Sequence, residues 1–403
     1  MNYDLIIVGG GAAGFFMAIN VAEKRPNYKI AILERGKEVL SKVRVSGGGR
    51  CNVTHAEFIP KELSKNYPRG EKELLGPFHS FMTGDTIEWF SKRGVELKIE
   101  EDGRMFPVTD SSSTIIDCFL QQAKHYKIEV LTSQVVKNFY CGDEIWHVKT
   151  NKTDFQTTKL AITTGRNVKI WDILKDIGHK IVAPVPSLFT FNIEDQRIKD
   201  LPGLSLNATV KVLNSKLKSE GPVLVTHWGL SGPAILKLSA WGAIILESFK
   251  YKFDISINWL SSYNQQEIFE ELLELKEKKA KQLVMKYAQF ELPKRLWRSL
   301  VSAAHVSESK NWADVSNKEL NALSEQLTNC IFKVDGKSTF KEEFVTAGGV
   351  DLKEINFKTY ESKICHNLFL AGEVINVDAI TGGFNFQNAW TGAFIAAQKI
   401  TEE

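Results

Sequence analysis

Leu5-Ile6-Ile7-Val8-Gly9-Gly10-Gly11-Ala12-Ala13-Gly14 stands almost at the amino terminus, an apolar run entering Gly-x-Gly-x-x-Gly at Gly9, Gly11 and Gly14. Each glycine answers a separate steric demand. Gly9 lets the chain turn sharply, Gly11 lets backbone approach a pyrophosphate, and Gly14 lets the next helix pack close on the strand. Phe15 to Lys24 reads as that helix. The amides around Ala12 and Ala13 at its start, with the positive end of its dipole, face the anion. A second strand, Lys29 to Leu33, ends at Glu34, twenty residues past Gly14. That is the separation at which a carboxylate reaches the adenosine ribose hydroxyls. Strand, turn, helix, second strand and terminal acid together predict a dinucleotide site.

The chain has 403 residues, more than one compact core usually holds, so two or three domains are expected. Its 43% hydrophobic and 25% charged content is that of a globular protein and argues against disorder. A net charge of +3 without a long basic run makes nucleic acid an unlikely partner. The five cysteines, Cys51, Cys118, Cys141, Cys330 and Cys365, form no C-x-x-C pair, so no metal site is expected and a reducing, cytoplasmic setting is predicted. The apolar stretch Ala234 to Leu246 carries Lys237 and is too short to span a bilayer, so no membrane partner is expected.

The pattern along the chain predicts an α/β fold: a two-part Rossmann-like domain with an inserted β-barrel-like unit and a small helical unit. Residues 1–185 form the first part, with a helix at Asp85 to Arg93, a hairpin of Val95 to Ile99 with Arg104 to Val108, and a helix at Ser111 to Lys124. Strands follow at Ile128 to Leu131, Val135 to Phe139, Ile145 to Thr150 and Leu160 to Thr163. Residues 186–335 read as the insertion, β-rich over 186–260 and helical over 263–330. Residues 336–403 read as the second part, with a strand at Asn367 to Leu370 and a helix at Asn385 to Ile400.

Two further stretches carry chemistry. Ser46-Gly47-Gly48-Gly49-Arg50-Cys51-Asn52 follows Lys42 and Arg44, so free backbone amides and three cations converge beyond Glu34. Such a loop can lie against a flat ring or phosphate, with Arg50 and Asn52 as donors. Far along the chain, Gly372-Glu373, Asp378 and Thr381-Gly382-Gly383-Phe384-Asn385-Phe386-Gln387 place acceptors and then bare amides at a helix start. Glu373 can accept from ribityl or ribose hydroxyls, and amides from Gly383 to Phe386 can stabilise negative charge on a reduced isoalloxazine. A second segment returning to grip the far end of the ligand favours FAD over NAD.

Five motifs, Ser46 to Asn52, Glu100 to Pro107, Thr226 to Leu236, Val345 to Val350 and Ala371 to Gln387, resemble the aminoacetone-oxidase/BaiN-like family of FAD-dependent oxidoreductases over nearly the whole chain. The resemblance implies FAD contacts at Gly11, Gly14, Glu34, Arg35, Lys42, the Ser46 to Asn52 loop, Val135, Gly372, Glu373, Asn385 and Gln387. Thr163, Thr164 and Gly165 are candidate contacts as well, although the loop they open is shorter than in longer family members and reaches Trp171 quickly.

Other conspicuous residues read as structural. In Thr226-His227-Trp228-Gly229-Leu230-Ser231-Gly232-Pro233, Ser231 is expected to cap a helix with Pro233 in its first turn. Cys51, with no partner cysteine nearby in sequence, reads as a buried thiol. The predicted function is hydride exchange between flavin N5 and a small organic substrate or NAD(P)H, with NAD(P)H the candidate reductant and no side chain singled out as catalytic. The alternatives are a flavin-binding sensor without turnover and an RNA-associated flavoprotein. Oligomeric state is not legible.

Overall fold

The computed structural model describes residues 2–338 and 345–402. The chain divides into two compact units, Met1–Val185 with Val345–Glu403, and Pro186–Phe344.

The first unit is built on a mixed nine-stranded sheet whose centre is parallel, with Val136–Gly142 and Ile145–Thr150 branching off it. Its strands run in the order Ile355–Asn356, Glu361–Ser362, Leu368–Leu370, Asp154–Ile162, Asn2–Val8, Ile30–Leu33 and Glu129–Leu131. Leu5, Ile6, Ile7, Ala31, Ile32, Leu160 and Ala161 are buried, as expected where both faces of a parallel sheet are covered. The register aligns the strand ends: Val8 pairs with Leu33 and with Ile162, Leu370 with Ile162, and Leu33 with Leu131. The residues that follow, Gly9, Glu34, Thr163 and Ala371, therefore share one rim, the carboxyl edge where open α/β sheets bind ligands.

The first helix, Ala12–Lys24, and the C-terminal helix, Phe384–Thr401, pack against each other. Between and beside them lies an aromatic cluster, with Phe16 4.4 Å from Trp89 and 5.2 Å from Trp390, and Phe119 5.7 Å from Trp390. The two helices share one core, so the last segment of the chain belongs physically to the first. A three-stranded sheet of Thr54–His55, Arg104–Pro107 and Leu97–Ile99 and a two-stranded sheet of Ile181–Ser187 with Val345–Val350 complete the unit.

The second unit holds seven strands in the order Cys330–Asp335, Lys252–Asn258, Ser205–Val212, Lys218–Thr226, Gly229–Ser231, Thr190–Asn192 and Lys337–Ser338. The sheet curls, and the Asn192 amide donates to the Gly336 carbonyl at 3.1 Å. Three longer helices, Gln265–Lys278, Lys294–Ala303 and Asn317–Thr328, lie in the same unit. Lys337–Ser338, which sequence reading groups with the last part of the chain, pairs instead with Thr190 and Phe191.

Element boundaries differ from expectation where short-range signals compete. The strand expected at Leu160 to Thr163 extends back to Asp154, because its outer half pairs with Ile145–Thr150. Helices Ser41–Val45, Pro60–Ser64 and Glu71–Ser80 went unanticipated. Ser231 does not cap the following helix. It ends a strand, and Gly232, at φ +93°, takes the cap position before Pro233. The apolar stretch at 234–246 is two helices broken at Gly242. Among the described residues no helix is long and apolar enough to cross a membrane, and no group of His, Cys, Asp and Glu side chains is placed to hold a metal ion.

Candidate functional site

The Gly9–Gly14 turn separates its glycines by role. A Cβ at Gly9, whose φ is +117°, would stand 2.6 Å from the Thr163 carbonyl oxygen, and one at Gly14 would stand 2.1 Å from the Gly9 carbonyl oxygen. Those two positions are filled by the protein itself. A Cβ at Gly11 meets nothing within 4 Å, so the space beside it is open to a ligand. The helix starting at Ala12 has no side-chain cap and no acid in its first turn, which leaves its first amides to an outside acceptor.

Around this turn the rim brings the expected residues together. Glu34 accepts from the amides of Gly10 at 2.9 Å and Gly36 at 2.7 Å, so it braces the turn. Each carboxylate oxygen keeps acceptor capacity for a hydroxyl. Thr163 is buried, its hydroxyl donating to the Gly9 carbonyl at 3.0 Å. Lys42 forms an ion pair with Glu373. A Cβ at Gly165 would lie 3.3 Å from Glu373 Oε2 and 3.8 Å from Lys42 Nζ, and one at Gly372, φ +78°, 3.4 Å from the Ala13 Cβ. Burial pushes the Arg166 guanidinium down and the nearby Glu373 carboxylate pulls it up. Residues 9–14, 34, 42, 163–166 and 372–373 therefore form one cluster from five separate stretches of the chain.

A second cluster forms where the Ser46–Asn52 loop meets the start of the C-terminal helix. Gly47, Gly48 and Gly49 have φ of +58°, +68° and +86°, a left-handed run that only glycine adopts without strain. With its amide oriented to satisfy both neighbours, Asn52 donates to the Thr54 carbonyl and accepts from the Gly383 amide, each at 3.0 Å. His55 stacks on Phe384 with ring centres 4.4 Å apart, and its Nδ1 lies 3.0 Å from the Gly382 carbonyl. Asn385 holds the preceding turn through the Ala379 amide at 3.0 Å. The helix from Phe384 has neither a side-chain cap nor an acid in its first turn. Phe386 lies parallel to Trp390 at 5.5 Å.

Several expected contacts are committed elsewhere. Asp378 is fully buried and its carboxylate is held by Arg69, so it fixes the turn leading to Gly382 instead of offering an acceptor to a ligand. Gln387 is also fully buried, its amide oxygen accepting from Thr54 at 2.6 Å and Thr86 at 2.9 Å and its nitrogen donating to Thr391 at 3.1 Å. The Arg50 guanidinium lies 3.9 Å above the Phe106 ring and bonds Glu100 at 2.5 Å. Val135 exchanges backbone bonds with Asn151, its amide donating to Oδ1 at 2.7 Å. Arg35 is exposed. Cys51, fully buried at φ +63°, has its thiol pushed up to about 12 by burial, which keeps it protonated and inert.

Sequence reading missed the supports: Arg69, Thr54, Thr86, and Tyr67, whose hydroxyl donates to the Phe384 carbonyl at 2.6 Å. None sits in a recognisable motif, and only the pairing of distant segments reveals them.

The open space at Gly11, two acid-free helix starts and an acceptor at the second strand's end fit a dinucleotide. Residues 3–399 match the family model described as HI0933-like protein Rossmann domain, and the chain belongs to this family. The ribosomal RNA dihydrouridine synthase of Haemophilus influenzae is 28% identical over 99% of this chain and 98% of its own length. The 3-dehydro-bile acid delta(4,6)-reductase of Clostridium scindens is 21% identical over 98% of both. Among solved structures, the 3-ketosteroid-delta4-(5alpha)-dehydrogenase of Rhodococcus jostii superposes with a TM-score of 0.52 at 12% identity, covering 100% of this chain and 97% of its own, a likeness of fold. The chain is an FAD-dependent oxidoreductase of Rossmann-type architecture.

Proposed function

We propose that this protein is a reductase that adds a hydride and a proton across a carbon–carbon double bond conjugated to a carbonyl, and that the bond is the 5,6 double bond of uridine in ribosomal RNA. The observation that carries the reading is whole-length correspondence with a relative named for dihydrouridine synthesis in ribosomal RNA. The second relative's name also describes reduction of conjugated double bonds, in a bile acid. Both names describe one kind of chemistry on different carbon frames. The balanced reaction joins the double bond, NAD(P)H and a proton to give the saturated product and NAD(P)+. A cytoplasmic setting belongs to this reading.

FAD, when bound, would supply the hydride chemistry. The amides after Gly11 would hold its pyrophosphate, Glu34 its adenosine ribose, and Glu373 with Lys42 the ribityl side. The helix start at Gly383 and Phe384 would set a positive potential where negative charge gathers on the reduced ring, stabilising that state. Asn52, Asn385 and the Arg69–Asp378 pair keep that helix start in place.

The test uses the FAD-loaded protein with NADH or NADPH under anaerobic conditions and ribosomal RNA that lacks dihydrouridine, followed by nucleoside mass spectrometry. Uridine gaining two hydrogens at a defined position supports the reading. Reduction of a 4-ene-3-ketosteroid with no change in the RNA would replace it by a small-molecule reductase.

A further inference from the structure

We propose that the exposed face of the helix Lys294–Ala303, in the second unit, is a docking surface for the phosphate backbone of RNA. The inference rests on the ribosomal RNA reading and names residues that reading does not use.

The helix is divided sharply. Leu296, Trp297, Leu300 and Val301 are wholly buried, whereas Lys294, Arg295, Arg298 and Ser302 are exposed, and His305 beyond its end is exposed too. At about 100° per residue those outward positions fall within an arc of about 100°. Its rotation is fixed: the Trp297 indole donates to the Val284 carbonyl at 2.8 Å, and the Ser299 hydroxyl to the Arg197 carbonyl at 2.7 Å. The cations therefore form one outward stripe.

No carboxylate pairs with it. The helix contains no carboxylate, and among the described residues Lys294, Arg295 and Arg298 enter no ion pair; the one bond Arg295 makes is to the Asp200 carbonyl at 3.3 Å. Some cations of the same unit are paired, Lys278 with Glu274 at 2.5 Å, Lys310 with Glu319 at 2.6 Å and Arg197 with Asp195 at 2.7 Å; what sets Lys294, Arg295 and Arg298 apart from the unit's other exposed lysines is that they share one helix face and include two arginines. Exposed carboxylates near the stripe are Asp200, Glu291 and, beyond His305, Glu308. Lys294 and Arg295 also occupy the first turn, where the helix dipole disfavours cations. The other two long helices of this unit start with Glu267 and Glu319 in capping boxes. Cations left unpaired and placed against the dipole serve an outside anion better than they serve the fold. Lys199 lies on a short helix packed against this one, and Lys286 with Tyr287 on the segment after Val284; all three are exposed. A stripe of guanidinium and ammonium groups with an aromatic at its margin suits an RNA backbone.

The test compares the FAD-loaded protein with the variant K294Q/R295Q/R298Q. A control variant, K211Q/K216Q/K218Q, removes three other exposed lysines of the same unit. Binding of a fluorescein-labelled ribosomal RNA fragment is followed by anisotropy from 50 to 300 mM KCl, a range of about six-fold chosen to expose the salt slope. The stripe variant should bind at least about ten-fold more weakly at low salt, with the slope of log affinity against log salt reduced by about two to three. Its flavin spectrum, melting temperature and turnover of a small conjugated enone should match the parent, and the control variant should bind RNA as the parent does. Parental affinity and slope in the stripe variant, or an equal loss in the control, overturns the surface while leaving the uridine reading intact. Absence of RNA binding by the parent protein overturns the uridine reading itself. Loss of polyglutamate binding with RNA binding retained would assign the stripe to an acidic protein instead.

Discussion

Exchanging Gly11 for serine separates the space kept for a ligand from the space used by the fold. Gly11 has φ −98° and ψ −168°, extended backbone that any residue adopts, and it stands at the N-cap of the first helix. Serine is a good N-cap, so the ligand-free variant should be as stable as the parent or more so by a few tenths of a kcal/mol. Its Cβ meets no protein atom within 4 Å, but with the hydroxyl it fills the volume beside the first helical amides. Overpacking of one or two heavy atoms costs about 1–3 kcal/mol, which weakens FAD binding by about 5- to 150-fold. Gly14→Ala is the counterpart, because its Cβ would sit 2.1 Å from the Gly9 carbonyl oxygen where ordinary contact begins at 3.4 Å. The helix must shift by over an ångström, and the ligand-free protein should melt several degrees lower. Differential scanning fluorimetry of the ligand-free proteins and FAD titration by fluorescence quenching measure both quantities. Wild-type FAD affinity in Gly11→Ser, or a melting loss matching that of Gly14→Ala, would refute the assignment of the open space.

Four other outcomes are expected. Asp378→Ala takes from the largely buried Arg69 guanidinium the carboxylate that faces it and should cost about 3–5 kcal/mol, read as a lower denaturant midpoint. Gln387→Leu strips the hydroxyls of Thr54, Thr86 and Thr391 of a shared partner and should cost about 1–3 kcal/mol, most visibly as weaker FAD retention, because the Thr54 strand braces the Gly383 turn. Burial holds His179 below its ordinary value despite the Glu354 carboxylate at 3.0 Å, so the unfolded chain binds more protons than the folded one near that range. Stability should therefore rise as pH increases from about 5 to 7, and His179→Gln should flatten that rise in melting scans. Glu319, held down to about 2 chiefly by Lys310, contributes stability above the ordinary carboxylate range that is lost as pH falls toward about 2, and Glu319→Gln should remove that loss.

The fold was legible where one stretch of chain carries its own instructions. The Gly9–Gly14 unit, the 97–107 hairpin and the helix expected over Ser111 to Lys124 all appear, the last one residue later with Ser111 as its cap, because periodicity and turn residues act within a few positions. The misses have the opposite cause. Glu71–Ser80 carries Pro77 inside it, a residue that argues against a helix locally, yet Leu74 and Phe78 are fully buried and tertiary packing overrides propensity. Lys337–Ser338 is too short for any period, and only its partners Thr190 and Phe191 assign it to the second unit.

The candidate site divides along the same line. Backbone features were visible, because a glycine needed at positive φ or beside open space leaves a mark in the sequence that no other residue imitates. Side-chain roles were not, since a carboxylate or amide reads alike whether it faces a ligand or the interior. Asp378 and Gln387 stand among the glycines of the 372–387 segment and were read with them as ligand contacts, yet each is fully buried with every polar atom turned toward Arg69 or a threonine. Their proximity to the motif has a physical origin. A helix start that must present bare amides cannot use a side-chain cap of its own, so the polar groups fixing its position come from residues just before and just after it, facing inward. The partners they need, Arg69, Thr54 and Thr86, lie over 300 residues away along the chain. The same logic applies to the basic stripe: an even overall charge balance conceals three unpaired cations until the rotation of one helix is fixed by Trp297 and Ser299.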